Sequence, residues 1–220
     1  MRPTYSLISF TPLRLIWHHR TEGCFLRLFP RDMPGLPGVG EVRALVELQA
    51  IFVESGLGRL PTLISTEPAV ALSEGFDLIL IGGPDANEAT KEVLLRVPGR
   101  FTFSDRQNDV SITDRLAGDV YPKSVGSGIR TDAGAIKQMP NPLNKDRQVL
   151  IIAGSFGYGT LAGAKLCRDK DFLKDRIVAP GRPFENLFTT EVVGDEPKRT
   201  KMVPVALLDT NKSTGRTAAT

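Results

Sequence analysis

Most of the residues whose types and spacing could do chemistry stand in two short glycine-rich segments. The first is Gly82-Gly83-Pro84, with Asp85 and Asn87 close behind it. The second runs from Gly154 to Thr160 and places Ser155 and Thr160 among Gly154, Gly157 and Gly159. Each follows a continuous apolar run, 78–81 or 149–153, and each precedes a stretch with helical spacing. A strand, a glycine turn and a helix start point backbone N–H groups and partial positive charge at a guest, and nearby hydroxyls add donors. The chemistry expected there is anion binding, with phosphate, carboxylate or a nucleotide as the small ligand. The ligand-binding candidates are Gly82, Gly83, Asn87, Ser155, Gly157, Gly159 and Thr160. Glycines at such turns also let helix and strand pack closely, so a purely structural role stays open beside the binding one.

Sharper motifs can be tested on the second segment. Gly157-x-Gly159-x-x-Ala162 fits a dinucleotide fingerprint with Ala in its third position. That fingerprint normally opens a dinucleotide domain, and the nearest downstream acid, Asp175, sits in a charged stretch rather than at a strand end. Ala153-x-Ser155-x-Gly157 is a variant nucleophile elbow, whose triad requires a later histidine. The only histidines, His18 and His19, precede the serine, which argues against a Ser-His-Asp hydrolase. A P-loop needs Gly-Lys-Ser/Thr, and Gly159-Thr160 lacks the lysine. A carboxylate acting on a nucleotide or glycosidic bond is a separate possibility, with Glu41 and Asp85 as weak catalytic candidates. Against Glu41 stands the ordinary use of an acid at a helix start as a dipole partner.

No metal site is expected. The two histidines are adjacent, and on a strand they would face opposite ways. Cys24 and Cys167 are far apart and form no C-x-x-C unit, which suits free buried thiols. No cofactor is singled out. The 28 Lys and Arg against 25 Asp and Glu give a net charge of +3, too even for a dedicated nucleic-acid binder. Lys198, Arg199 and Lys201 lie beside Asp195 and Glu196 without interleaved aromatics, as a solvated turn would. No segment approaches the roughly 20 apolar residues that span a bilayer, and no export signal is convincing, so no membrane and a cytoplasmic location are expected. Oligomeric state and partner domains are left open.

The elements that must position these residues follow from periodicity. After an N-terminal arm over 1–12, a strand is expected over 13–17, and the Pro/Gly-rich passage 34–40 should wrap the surface without helix. Leu45, Leu48 and Phe52 recur as on one face of a helix from Glu41 to Gly56. Strands are expected over 61–65, 76–81, 100–103, 133–139 and 148–153, and helices over 85–97 and from Leu161 onward. Asp85 or Asn87 can cap the former helix. The passage 104–130 reads as a long irregular insertion, either a lid or decoration. Strands over 185–193 and 201–208 should form a C-terminal hairpin through Gly194-Asp195-Glu196-Pro197, before a disordered tail over 210–220. Twenty-one Gly and 16 Pro in a chain with 41% hydrophobic residues describe a turn-rich globular protein, since the glycines have no period of three and the apolar runs need a core. The expected fold is a single α/β domain over 13–209, three-layered and Rossmann-like, with a mostly parallel sheet.

At 78–87, 139–144 and 149–160 the chain resembles S-layer-like outer domains and related uncharacterised prokaryotic Rossmann-like α/β domains. The resemblance covers three blocks and implies a Rossmann-like domain of unassigned activity; it supplies no catalytic residue. The leading functional expectation is a small-ligand or nucleotide-binding module. The alternatives are an enzyme acting through a carboxylate, and a structural or interaction module with no ligand.

Overall fold

The two apolar runs lie side by side as parallel strands in the computed structural model, which describes residues 24–28, 38–64, 72, 75–104, 111–122, 131–178 and 182–208. They are β3 (Asp77–Ile81) and β8 (Asn144–Gly154), the centre of an eight-stranded sheet. On one side of β3 stand β1 (Cys24–Leu28) and then β2 (Thr62–Ile64), both parallel to their neighbours. On the far side of β8 stand β7 (Thr131–Asn141), β9 (Phe184–Val193) and β10 (Glu196–Met202), each antiparallel to the next, while β11 (Ala206–Leu207) also pairs with β9. A small antiparallel sheet joins β4 (Phe101–Phe103), β5 (Ile112–Asp114) and β6 (Val120–Tyr121).

The mostly parallel, Rossmann-like sheet is therefore overturned. The sheet is mixed, and antiparallel pairing prevails. The physical reason lies in the connection between β7 and β8: two residues, Pro142 and Leu143, separate them, and only an antiparallel pair can be closed by so short a turn. A strand covered on both faces reads as a continuous apolar run whatever the direction of its neighbours, so composition did not reveal the reversal.

Helices cover both faces. α1 (Val39–Glu54) and α3 (Gly157–Leu166) pack together on one face, where Leu48, Ile51 and Phe52 meet Ile79, Ile81, Leu150 and Ile152. α2 (Glu88–Arg96) covers the other with Ala89 and Val93 on Leu78, Leu80, Val149 and Ile151. The alternation along β3 sends successive side chains to the two cores, as strand geometry requires. A short helix, α4 (Lys170–Leu173), is capped by Asp169 and buries Phe172.

Several expected boundaries move. α1 starts at Val39, with Gly38 as its cap, so helix begins inside the passage expected to be irregular. The second strand of the C-terminal hairpin begins at Glu196, and Gly194 and Asp195 make the turn with positive φ. Part of the insertion over 104–130 is ordered into β5 and β6. The arm over 1–12, the strand over 13–17, residues 34–37 and the tail over 210–220 lie outside the described residues.

The small sheet is held to the large one by a buried ion pair. Lys137 on β7 and Glu185 on β9 are cross-strand partners, and Lys137 Nζ lies 3.2 Å from Glu185 Oε2 with both side chains excluded from solvent. Lys137 Nζ also donates to the Phe101 carbonyl at 2.6 Å, while the Glu185 carboxylate accepts the N–H groups of Arg100 and Phe101. The pair thus serves the edge of β4 as a neighbouring strand would. Lys137→Met leaves Glu185 buried without its counter-charge and should cost about 3–5 kcal/mol in denaturant unfolding. Adding Glu185→Gln should recover part of that loss, and a double variant no better than the single one would contradict this account.

Candidate functional site

The parallel pairing of β3 and β8 brings the two glycine turns together. Ile81 is in register with Ile152, and the Gly82 N–H donates to the Ile152 carbonyl at 3.0 Å. From this edge α2 leaves to one face of the sheet, while α1 and α3 start on the other. Such a divergence beyond the carboxyl ends of parallel strands leaves a crevice between the helix starts.

Most turn amides are already used by the protein. Asn87, fully buried, accepts the N–H groups of Ala89 and Thr90 and donates to the Ile81 carbonyl at 2.9 Å, so it caps α2 and ties it to β3. Both polar atoms of its side chain are thus engaged within the chain. The Gly83 carbonyl accepts from Ala86 and Asn87. At α3, the carboxylate of Asp132 takes the N–H groups of Ala133 at 2.7 Å, Phe156 at 3.1 Å and Gly159 at 2.5 Å. The anion that the α3 start attracts is therefore part of the chain.

The glycines divide by role. Gly157 meets Gly40 backbone to backbone where α3 crosses α1, and a Cβ on Gly157 would stand 2.8 Å from the Gly40 Cα. Gly159 packs against the Ala133 carbonyl and Gly154. These three turn glycines, 154, 157 and 159, serve close packing. Gly82 has φ of 101°, a backbone only glycine adopts readily, and faces the Glu41 side chain; Gly83 faces Phe103 on the opposite side.

What converges on the edge is acidic. Glu41, in the first turn of α1, accepts from Thr160 Oγ1 at 3.4 Å, and Thr160 Oγ1 itself accepts the Gly154 N–H at 3.0 Å. Burial raises the Glu41 carboxyl above its usual range against the pull of its own backbone N–H and Thr160, and the charge of Asp85 adds to the rise. Burial pushes Asp132 up to about 7 despite its three backbone donors, with the Glu41 charge contributing. Asp85 is exposed at the rim. Ser155 is buried, and its hydroxyl has no hydrogen-bond partner. Among the described residues, no group of His, Cys, Asp or Glu is placed to hold a metal ion.

Asp132 stands one residue before the strand expected over 133–139, and no reading of the sequence singled it out. In the antiparallel sheet Gly134 stands opposite Gly154, which puts the first residues of β7 beside the last of β8. The available signal was an acid two residues before a glycine at the start of an otherwise apolar strand.

A cavity of about 630 Å³ opens on the α2 side, lined by Pro84 and Asp85 of the first turn, Leu94 and Leu95 of α2, Phe103 of β4 and, at its floor, Lys137. Among the described residues no helix is long and apolar enough to cross a membrane. No family model matches the chain, and no curated protein matches it, so its function has to be read from this edge.

The raised acids have a thermodynamic consequence. Between pH about 4 and about 7 the folded chain keeps a proton on Asp132 that the unfolded chain, at an ordinary 3.8, has released. Stability should therefore fall as pH rises through that window, and Glu41 contributes with the same sign. Unfolding midpoints at pH 5 and pH 8 should show the decline in the wild type and a shallower one in Asp132→Asn. Parallel profiles for the two proteins would refute the assignment.

Proposed function

We propose that the protein is a small-ligand-binding α/β module whose site is the edge joining Gly82-Gly83 to 154–160. The observation that carries this reading is a half-buried carboxyl, Glu41, and a buried one, Asp132, brought to that edge beside a buried, unpartnered Ser155 hydroxyl. Desolvated acids without a compensating cation are costly and cluster at functional sites. The ligand class differs from a phosphate: two of the N–H groups at the α3 start, those of Phe156 and Gly159, are engaged by Asp132, and the carboxylates of Glu41, Asp85 and Asp132 repel anions. A ligand that donates hydrogen bonds, with the hydroxyls of a sugar or ribose as its recognised groups, matches acceptors of this kind. The reading takes the cytoplasm as its compartment.

An enzymatic reading has one specific observation in its favour. A carboxyl raised by burial beside a second titrating acid is the usual arrangement of a general acid or base. It would give Glu41 the proton transfer and Asp132 the placement of the α3 turn.

A ligand bound only by the folded state raises the melting temperature in proportion to its occupancy. Neutral sugars and nucleosides should stabilise the protein in a thermal-shift series, inorganic phosphate should not, and Glu41→Gln should weaken the stabilisation by about tenfold in apparent affinity. Stabilisation by phosphate that survives Glu41→Gln would overturn the proposal.

A further inference from the structure

The cavity on the α2 side and the acidic edge share one turn. A Cβ on Gly82 would stand 3.3 Å from Ala86 Cβ and 3.5 Å from Glu41 Cγ, and one on Gly83 would stand 2.7 Å from Asp85 Oδ1, 3.3 Å from the Gly154 carbonyl oxygen and 3.8 Å from Phe103 Cδ1, so this one turn touches residues of the acidic edge and residues that line the cavity. Asp85 lines the cavity, and its charge acts on Glu41.

The cavity, about 630 Å³, falls within the roughly 300–1,000 Å³ of small-molecule sites and has mainly apolar walls, Pro84, Leu94, Leu95, Pro98 and Phe103. Its charges balance: Lys137 is paired with Glu185 at the floor, and Asp85 and Lys91 lie at the rim. It therefore favours a neutral guest.

It also has a polar edge. In the β4–β5 ladder, Ser104 donates to Ser111 and Arg115 donates to Arg100, so the backbone groups of Arg100, Thr102 and Ser104 face β5. In an antiparallel pair the intervening residues face away. Phe101 is one of them, and Lys137 and Glu185 take its carbonyl and N–H. Phe103 is the next. Its N–H and C=O point to the same side, have no partner among the described residues, and belong to a residue that lines the cavity. One donor and one acceptor on a single residue, beside an aromatic ring and apolar walls, match the amide-like edge of a planar nitrogen heterocycle.

Resting on the reading of the edge as a hydroxyl-binding site, we infer that one ligand fills both compartments and that it is a nucleoside. The base lies in the cavity against Phe103, with its edge on the Phe103 backbone, and the ribose crosses Gly82-Gly83 to give its hydroxyls to Glu41. A 5′-phosphate is not required and meets an acidic rim.

The test is isothermal titration of the full chain with adenosine, cytidine, ribose, adenine and adenosine monophosphate, on wild type, Leu95→Trp and Glu41→Gln. Leu95 is 64% exposed, so a tryptophan there obstructs the cavity without disturbing the core. A nucleoside should bind at least about tenfold more tightly than ribose or the free base and no less tightly than the monophosphate, and each variant should weaken it by about tenfold or more. If ribose equals the nucleosides and only Glu41→Gln matters, the edge reading stands and the inference falls. If adenine equals adenosine and only Leu95→Trp matters, the cavity binds alone, and both the inference and the edge reading fall. Binding of none of them, or preference for the monophosphate, overturns both.

Discussion

Asp132 sits where three segments distant in sequence have to meet: the start of β7, the end of β8 and the first turn of α3. Its carboxylate accepts the N–H groups of Ala133, Phe156 and Gly159, so one buried side chain fixes the strand, the turn and the helix start together. Two of them, those of Phe156 and Gly159, stand at the α3 start, where the first N–H groups of a helix lack i−4 partners. The close crossing of α3 over α1 at Gly40 and Gly157, and the contact between Thr160 and Glu41, depend on that turn having this shape. Charge is the cost of the arrangement. The carboxyl is held by hydrogen bonds and has no cation partner among the described residues, and burial raises its proton affinity.

The same solution recurs in a different form in the middle of β7. Lys137 and Glu185 are also buried and also engage backbone groups, those of Arg100 and Phe101, but they neutralise each other. There the buried charge is compensated and its evident work is to dock the small sheet. At Asp132 and Glu41 compensation is incomplete, which is why the edge rather than the clamp reads as the site. The two are joined by β4, whose Phe101 is held by the clamp and whose Phe103 reaches the cavity beside Gly83.

The glycine turns were legible because a continuous apolar run followed by glycine and then by helical spacing has few other structures open to it. Asn87 shows the limit of that legibility. A polar residue just past a turn suits a ligand and a helix cap equally well, and its three hydrogen bonds decide for the cap. Gly157 and Gly159 are similar: closeness of approach was readable from residue type, whereas the partner was not, and it is backbone. The expectation of a mostly parallel sheet did not take into account that the turn at Pro142 and Leu143 makes β7 and β8 antiparallel neighbours. Asp132 was not singled out, because nothing local in the sequence says that the start of β7 lies beside the first turn of α3.

Local chemistry, then, was determined by the sequence itself: where strands and helices fall, that glycines mark two strand-to-helix turns, and that Glu41 opens a helix. These depend on side-chain type and on spacing over a few residues, which the chain carries wherever it folds. Tertiary structure alone decided which acids share the edge, that the Phe156 and Gly159 N–H groups are taken by Asp132, and that a cavity lies beside Phe103 on the α2 side. Each of those depends on strand order and direction, set by long-range pairing whose partners stand tens of residues apart and leave no local mark.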